Sequence, residues 1–334
     1  TRAAFRLLGG PNDFSIAKAR EKLGYKPVVD FEEAMKELTE HFKTTGTSST
    51  PESPTKSEQK PWVWVTGSAS GLGRYVTGQL LQRGYSVLAT DLRDDQLQQV
   101  AASDGWPASR VQLAKLDITV RDNWQALYED TQQQGLKFSH LLNIAGFISP
   151  GYTYENTAQQ IRTHLDINVM GMANGCDVLL PHLEKQNRGH IINVVSLAGF
   201  GPAPGVVAYC ASKAAARSFS GGLAMDLALA GSPVKVTSVC PDLIATPMMD
   251  KQVGFGEHAR IVFSGTRPLT VQETGGLILG RVWEQQPMEA ALPSHKAWVA
   301  RLAGLKPEWG MWMSRKIEAK GKKKLASIRA QQSL

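Results

Sequence analysis

The stretch WVWVTGSASGLG, residues 62–73, decides the fold of this 334-residue chain. A short apolar run, long enough for a buried strand, leads into a glycine-rich turn and then into a helical pattern. In this setting Gly67 permits the tight turn, Gly71 lets the backbone approach a pyrophosphate, and Gly73 allows the helix to pack closely on the strand. The helix N-terminus adds free N–H groups and a positive dipole end. We therefore predict a dinucleotide site here; the alternative is a glycine-rich turn without a ligand.

The alternation of strand and helix continues downstream of this turn. Helix-length segments separate short apolar runs, which is typical of a parallel sheet with helices packed on both faces. The apolar runs lie at 63–65, 86–90, 111–116, 140–144, 190–195 and 234–239, and the helical segments at about 72–83, 94–102, 121–134, 157–187 and 207–230. The sequence therefore predicts an α/β fold with a doubly wound parallel sheet, a Rossmann fold.

Composition divides the chain into four segments. Residues 44–60 contain no aromatic and no aliphatic residue, which is typical of a flexible linker. We expect a short helical segment at 1–43, this linker at 44–60, a dinucleotide-binding domain at 61–290 and a basic amphipathic tail at 291–334.

The net charge of +7 belongs to the tail. From Lys296 onward ten basic residues face two acidic ones, a net +8, which leaves the rest of the chain at −1. A basic segment that carries Trp298 and Trp312 can lie on an anionic membrane surface. The alternatives are a solvated helix whose stem packs on the body, or a protein partner. Nucleic acid is not expected, because no recognition fold or stacking motif accompanies the charge.

Composition also limits the class of protein. With 42% apolar and 20% charged residues the chain can bury a core, and no apolar run approaches the roughly 18 residues of a membrane-spanning helix. Cys176, Cys210 and Cys240 are odd in number and widely spaced, which favours a reducing compartment over a disulfide framework. We expect a cytoplasmic protein, with peripheral membrane contact as an option. The seven His show no metal-ligand spacing, so no metal site is predicted.

Acidic residues end the second and third predicted strands. Asp91 lies eighteen residues beyond Gly73, where a carboxylate can accept hydrogen bonds from the adenosine ribose and repel a 2′-phosphate. This favours NAD over NADP, although the nearby Arg93 weakens the preference. Asp117 can meet the adenine edge or cap the turn before Thr119; the sequence leaves both open.

Further motifs follow in order along the chain. They are Asn143-Ile144-Ala145-Gly146 at a strand end, Asn168 within 166–171, Ser196 within 193–199, Tyr209-Cys-Ala-Ser-Lys213 thirteen residues after that serine, and Pro241-Asp242-Leu-Ile-Ala-Thr246. With the glycine-rich turn they resemble the classical short-chain dehydrogenase/reductase family over about residues 61–290. Ile144 departs from the second Asn of the family pattern, and Asp242 replaces its Gly.

The resemblance implies a catalytic set of Ser196, Tyr209, Lys213 and Asn168. Tyr209 and Lys213 are four residues apart on a helix and share one face. The Lys213 ammonium and a positive nicotinamide ring would lower the pKa of the phenol from about 10 toward 7, so that Tyr209 can exchange a proton with an alcohol. Ser196 would polarise the substrate oxygen, and Asn168 would hold a water linked to Lys213.

The glycine-rich turn and the resemblance together assign the cofactor contacts. They are Thr66, Gly67, Ser70, Gly71, Leu72, Gly73, Asp91, Asp117, Ile118, Asn143, Ala145, Gly146, Tyr209, Lys213 and Thr246. The resemblance also implies a homodimer or homotetramer that pairs the long helices at about 157–187 and 207–230.

The segment after Pro241 should form the substrate loop. Met248, Met249 and Phe255 suit an apolar ligand, or they pack as core under the loop. We predict an NAD(P)-dependent oxidoreductase of lipid metabolism that interconverts a secondary alcohol and a ketone on a hydrophobic, steroid- or acyl-chain-like substrate. The alternatives are a non-catalytic dinucleotide-binding scaffold or sensor, and epimerase or lyase chemistry on the same scaffold.

Residues 12–27 carry a second, shorter resemblance. They are similar to the carboxy-terminal end of an extended short-chain dehydrogenase, with one extra residue before the Leu of its pattern. This implies a fusion of an extended reductase, a linker and the classical reductase. The alternative is an unrelated amphipathic arm.

Overall fold

The computed structural model describes residues 60–332, apart from 266 and 306. The expected helical segment at 1–43, nearly all of the linker at 44–60 and the resemblance at 12–27 lie outside the described residues.

A parallel sheet forms the centre of the molecule. In the described part of the chain seven strands pair in the order β3-β2-β1-β4-β5-β6-β7, with every pairing parallel. The strands are β1 Trp62–Thr66, β2 Ser86–Asp91, β3 Val111–Lys115, β4 Phe138–Asn143, β5 His190–Val194, β6 Lys235–Pro241 and β7 Glu289–Leu292. The prediction of a doubly wound Rossmann fold is confirmed. The order reverses between β1 and β4, and ligands of such sheets bind at the strand ends beside that point.

Helices connect the strands and cover both faces. They are α1 Gly71–Gln82, α2 Asp94–Ser103, α3 Arg121–Gln133, α4 Ala158–Leu165, α5 Gly171–Lys185, α6 Val207–Leu229, α7 Pro247–Val253, α8 Val271–Leu277, α9 Trp283–Gln285, α10 Ser294–Leu305 and α11 Pro307–Gln332. The helix predicted over about 157–187 is observed as one continuous helical run with an irregularity inside it. A π-helical turn, Asp166–Met170, separates α4 from α5, and such a turn often marks a functional position.

Side chains of β1 point alternately into two cores. Val63 and Val65 pack under α1 with Val76 and Leu80, all without solvent exposure. Trp64 faces the opposite layer, where its ring centroid lies 5.1 Å from that of Trp124 and 5.4 Å from that of Phe138. A strand buried on both faces reads as one continuous apolar run, which is why the sequence pattern located it.

The strand β7, Glu289–Leu292, is absent from the sequence-based prediction. Its four residues, EAAL, contain no β-branched or aromatic side chain, so no strand signal marks them. The strand pairs with β6 through Ser238↔Glu289 to Pro241↔Leu292 and lies across the predicted domain boundary at 290. Among the described residues, no helix is long and apolar enough to cross a lipid bilayer.

Candidate active site

The glycine-rich turn joins the ends of β1 and β4. Gly67 adopts a left-handed φ of 74°, and a Cβ there would lie 3.0 Å from the Ala145 Cα. A Cβ on Gly73 would lie 2.1 Å from the Gly67 carbonyl oxygen, so only glycine lets α1 start this close to the turn. Thr66 fixes the neighbouring strand end, because its hydroxyl accepts hydrogen bonds from Ile144 N (3.0 Å) and Ala145 N (3.1 Å).

The start of α1 offers backbone donors to a ligand. Its N-cap residue Ser70 makes no side-chain capping hydrogen bond, so N–H groups of the first turn remain available to an anion. Leu72 is buried in the core beneath the turn, and only its backbone can face a cofactor. The prediction of a phosphate cradle at Gly67–Gly73 therefore fits the geometry, with Leu72 acting through its N–H.

Asp91 ties the end of β2 to this turn. One carboxylate oxygen accepts from Ala69 N at 3.0 Å, and the other accepts from Arg93 N at 3.0 Å and from Arg93 Nε at 3.2 Å. Arg93 also donates to the Ser70 hydroxyl at 3.1 Å. The predicted acceptor is therefore in position beside the turn, and the neighbouring cation is engaged with it.

Two other predicted cofactor residues have local structural partners. The Asp117 carboxylate accepts from Thr119 N (2.9 Å) and from the Thr119 hydroxyl (2.7 Å), which is the turn-cap alternative. The neighbouring Ile118 carbonyl accepts from Trp124 Nε1 at 3.0 Å and from Asn174 Nδ2 at 3.0 Å.

The side chain of Asn143 is used inside the protein. Its side chain is buried and donates to Asn193 Oδ1 at 2.9 Å, and Asn193 in turn donates to the Ser220 hydroxyl at 2.9 Å. The amide therefore joins β4, β5 and α6 inside the protein. Only the backbone of Asn143 remains for a ligand.

Ser196 and Tyr209 meet at the carboxyl end of the sheet. Ser196 follows β5, and its hydroxyl accepts from Ala198 N at 3.1 Å, which fixes the side chain. Burial raises the pKa of Tyr209 to about 12, and a hydrogen bond with Ser196 opposes that shift. The expected lowering of the phenol pKa by Lys213 is therefore not found in the protein alone.

Lys213 lies one helical turn after Tyr209 on α6. Its Nζ donates to the Val194 carbonyl at 3.1 Å and lies 5.8 Å from the centroid of the Tyr209 ring. The side chain is only 5% exposed, and burial lowers the pKa of the ammonium to about 8. A group with that pKa can lose or gain a proton close to neutral pH, which suits a proton relay.

Asn168 lies in the π-helical turn and anchors the strand end opposite Lys213. Its Oδ1 accepts from Phe147 N at 2.8 Å, while its Nδ2 donates to the Phe147 carbonyl at 2.8 Å and to the Ser212 hydroxyl at 3.0 Å. Both ends of the Asn168 amide therefore bind the backbone of Phe147 and position it. A Cβ on Gly146 would lie 3.3 Å from Asn168 Oδ1 and 3.5 Å from Lys213 Nζ, so glycine keeps this corner open.

Ser212 is a residue that the sequence analysis overlooked. Its hydroxyl donates to the Tyr209 carbonyl at 2.7 Å while it accepts from Asn168, and the side chain is fully buried. Its position between Tyr209 and Lys213 was the only sequence signal. The spacing of a small polar residue within a helix does not by itself indicate a function.

The loop after β6 reaches the glycine-rich turn. Thr246, the N-cap of α7, would lie 3.0 Å through its Cγ2 from a Cβ on Gly71, so the two predicted contacts adjoin. Asp242, the departure from the family pattern, forms an ion pair with Lys296 of α10. The carboxylate thus has a cationic partner on the protein.

Residues of the predicted substrate loop divide into two groups. Met248 and Phe255 are each 39% exposed. Met249 instead packs against the buried cluster of Val253, Ala259, Phe263 and Leu325. The packing alternative therefore describes Met249, and an exposed apolar surface remains at the other two.

Within the described ranges, no group of three or more His, Cys, Asp or Glu is placed to hold a metal ion. The buried polar residues near the sheet ends are instead amides, hydroxyls, the carboxylate of Asp91 and the ammonium of Lys213, with the half-buried Tyr209 beside them. This donor set fits a dinucleotide and an alcohol or carbonyl oxygen.

These motifs and this geometry define a dinucleotide-binding oxidoreductase. The family model of short chain dehydrogenases matches residues 61–254, more than half of the chain, and the protein belongs to that family.

Individual relatives and solved structures match this chain over most of their own length. Cyclopentanol dehydrogenase of Comamonas testosteroni is 29% identical over 229 residues, 69% of this chain and 86% of the relative. A short chain dehydrogenase/reductase from Burkholderia phymatum, solved with NAD, has a TM-score of 0.68 at 23% identity and covers 75% of this chain and 95% of its own. The closed form of a serine dehydrogenase with NADP+ has a TM-score of 0.61 at 26% identity, covering 69% and 93%.

Proposed function

We propose that the protein uses NAD to interconvert a secondary alcohol and a ketone on a hydrophobic substrate. The observation that carries the proposal is the joint placement of Ser196, Tyr209 and Lys213 at the sheet end beside the glycine-rich turn. The relatives named cyclopentanol dehydrogenase and 2-(R)-hydroxypropyl-CoM dehydrogenase support the same class of reaction.

NAD is the proposed cofactor. It would be held by the N–H groups at the start of α1 and by Asp91, whose buried carboxylate disfavours a 2′-phosphate. Arg93 is drawn into an ion pair with that carboxylate, which reduces its availability to the extra phosphate of NADP. When bound, the nicotinamide accepts or supplies the hydride, and its positive charge in the oxidised form favours the ionised phenol.

The chain's own residues handle the proton. In the oxidative direction Ser196 holds the substrate hydroxyl, and Tyr209 accepts its proton. Lys213 lies buried behind the phenol and stabilises the charge that develops there. In the reductive direction the same groups donate the proton to the carbonyl oxygen.

The proposed substrate is apolar, steroid-like or acyl-chain-like. Met248 and Phe255 supply adaptable apolar surface on the loop after β6, which suits such a ligand. A relative of 31% identity named 3-oxoacyl-[acyl-carrier-protein] reductase, from Thermotoga maritima, supports the acyl-chain version and a role in lipid metabolism.

A substrate panel tests the proposal. Purified protein is mixed with NAD or NADP and with cyclopentanol, 2-octanol, a 3-hydroxysteroid or L-serine, and the absorbance of reduced nicotinamide is followed. Tyr209→Phe should lower kcat by roughly 10²–10⁴-fold while binding of NADH persists. Tyr128→Phe is the matched control, because its hydroxyl contacts His182 away from the site. Wild-type rates in Tyr209→Phe would overturn the proposal.

The alternative proposals predict different results on the same panel. A non-catalytic scaffold or sensor binds NADH tightly and turns over none of the alcohols. An epimerase or lyase gives product without a net change in the amount of NAD. The position of Lys213 beside Tyr209 suits proton transfer, which favours an enzyme over a non-catalytic scaffold.

Two surfaces suggest partners. Phe219, Met225 and Leu229 of α6 are exposed, which supports the proposed homodimer or homotetramer. On α10 and α11 the exposed side chains Trp298, Val299, Leu302, Met311 and Trp312 form the tail surface, with Lys316 beside Trp312. The tail surface supports peripheral contact with an anionic membrane.

The division of the chain at 43, 60 and 290, the N-terminal fusion and a cytoplasmic location stay predictions.

A further inference from the structure

The substrate loop, residues 243–265, has little regular structure of its own. It contains the seven-residue helix α7 and two single turns of 3-10 helix, and one isolated bridge, Ile244↔Leu269, links its start to the following segment. Segments of this kind open at low free-energy cost unless something else packs on them.

The loop lies against two segments, residues 151–155 and residues 205–209, the second of which ends at Tyr209. Together they are the catalytic segments. A Cβ on Gly205, four residues before Tyr209, would lie 2.0 Å from the His258 carbonyl oxygen. His258 Nε2 lies 2.8 Å from Glu155 Oε2, and the ring stacks edge-on against Tyr152 with centroids 4.9 Å apart. Gly151 N donates to the Gly205 carbonyl at 2.8 Å, which joins the two catalytic segments.

Helix α11 packs on the outer side of this loop. Leu325 of α11 is 4% exposed and completes the apolar cluster with Val253, Ala259 and Phe263 of the loop. The backbones approach closely at Gly321, where a Cβ would lie 1.8 Å from the Arg260 carbonyl oxygen. Glycine within a helix costs about 1 kcal/mol relative to alanine, and here it permits a contact that no other residue allows.

Cations of α11 bind backbone carbonyls of the loop. Arg329 donates to the Val253 carbonyl through Nε (3.2 Å) and Nη2 (2.7 Å), and Lys324 donates to the Gly265 carbonyl at 2.8 Å. Glu318 lies 3.5 Å from Arg260. Part of the basic charge of the tail is therefore used to bind α11 to the loop.

We propose that α11 is an intramolecular clamp that holds the substrate loop against the catalytic segments, with Gly321, Leu325 and Arg329 as its positioning residues. All three contact the loop, and they act on Ser196 and Tyr209 through it. Because the clamp is part of the same chain, the substrate side of the cleft is largely formed before substrate binds, which lowers the conformational cost of binding. The inference rests on the proposed function only in naming this segment the substrate loop.

Gly321→Ala tests the clamp, with Gly276→Ala of α8 as its control. A Cβ on Gly276 meets no atom within 4 Å, so the control adds the same methyl group without a clash. We expect amide hydrogen exchange in 247–265 to accelerate at least fivefold in Gly321→Ala and to stay unchanged in the control. The amides of Phe255, Arg260 and Phe263, which donate within the loop, should report the change.

Kinetics separate positioning from catalysis. With 2-octanol as the probe, Gly321→Ala should raise KM at least fivefold, leave kcat within about twofold, and leave the Kd of NADH unchanged. Absence of turnover in the wild type would count against 2-octanol and the proposed function, while hydrogen exchange still decides the clamp.

Arg329→Met is a second variant, in case Gly321→Ala fails to fold. It removes two hydrogen bonds to the loop without adding volume, and Lys323→Met, an exposed neighbour on α11, is its matched control. Faster exchange confined to 247–265 supports the clamp. Unchanged exchange in both Gly321→Ala and Arg329→Met, or equal acceleration in the controls, overturns it.

Discussion

Asp242 and Lys296 form an ion pair that joins the loop after β6 to helix α10. Asp242 replaces a glycine of the family pattern, and its backbone N–H also donates to the Leu292 carbonyl at 2.8 Å. One of the two residues that depart from the pattern therefore contacts the basic tail. A lone carboxylate beside a nicotinamide would favour its cationic form, whereas a paired one has much less effect.

A double-mutant cycle on this pair should show coupling. Asp242→Asn and Lys296→Met each remove the attraction, so the double variant should lose less stability than the two single variants together. Side-chain exposures of 25% and 30% predict a coupling of about 1 kcal/mol in urea unfolding. The exposed pair Arg121–Asp177 is the control, with about 0.5 kcal/mol or less expected. Equal coupling in both pairs would contradict the prediction.

Asp91→Asn should shift cofactor preference toward NADP. The amide keeps an oxygen for Ala69 N but carries no charge to repel a 2′-phosphate, and it frees Arg93 from its ion pair. We expect the ratio of kcat/KM for NAD to that for NADP to fall at least tenfold, roughly 1.4 kcal/mol. Asp177→Asn, remote from the turn, should leave the ratio unchanged. A constant ratio in Asp91→Asn would remove Asp91 from the cofactor site.

Stability should fall in mild acid because of two imidazoles, the buried His190 and the half-buried His140. Burial lowers the pKa of His190 to about 4 and that of His140 to about 3, with the neighbouring His190 adding to the latter shift. Unfolded His titrates near 6.5, so the unfolded state binds protons first. The stabilisation is complete above pH 6.5 and is lost as the pH falls from 6.5 toward 4.

Urea unfolding at several pH values measures this loss. His190 is fully buried, so its share is roughly 3 kcal/mol by pH 4. His190→Gln should flatten the dependence between pH 6.5 and 4, whereas His295→Gln, at an exposed position on α10, should not. An unchanged slope in His190→Gln would mean that other groups carry the acid sensitivity.

The tail surface should bind anionic vesicles. We expect cosedimentation with phosphatidylserine-containing vesicles, weaker binding to pure phosphatidylcholine and release at high salt, since each surface Lys adds about 1 kcal/mol near such a membrane. Trp298→Ala should weaken binding roughly tenfold, as a large interfacial side chain is lost. Met225→Ala, an exposed apolar position on α6, is the control. Wild-type protein that stays in solution with both vesicle types would exclude this contact.

The sequence located the sheet and the site because their signals are local. The glycine-rich turn at 62–73 and the Tyr209–Lys213 pair each lie within a few residues, and strands buried on both faces leave continuous apolar runs. The strand β7 left no such signal, because its residues EAAL form a strand through pairing with β6 and not through propensity. The π-helical turn at Asp166–Met170 was likewise invisible, since the backbone stays helical on both sides of it and no turn residue marks it.

What only the tertiary structure decided concerns partners far apart in the chain. The sequence by itself determined the family, the fold and the order of the catalytic motifs. It could not determine that Asn143 faces Asn193, that Asp242 meets Lys296, or that α11 lies on the loop at Arg260. Each of these contacts depends on strand register or helix docking, which the summed packing of the whole domain fixes. The pKa of Tyr209 also depends on the tertiary structure. Burial raises it to about 12, and that burial is produced by the residues packed around α6.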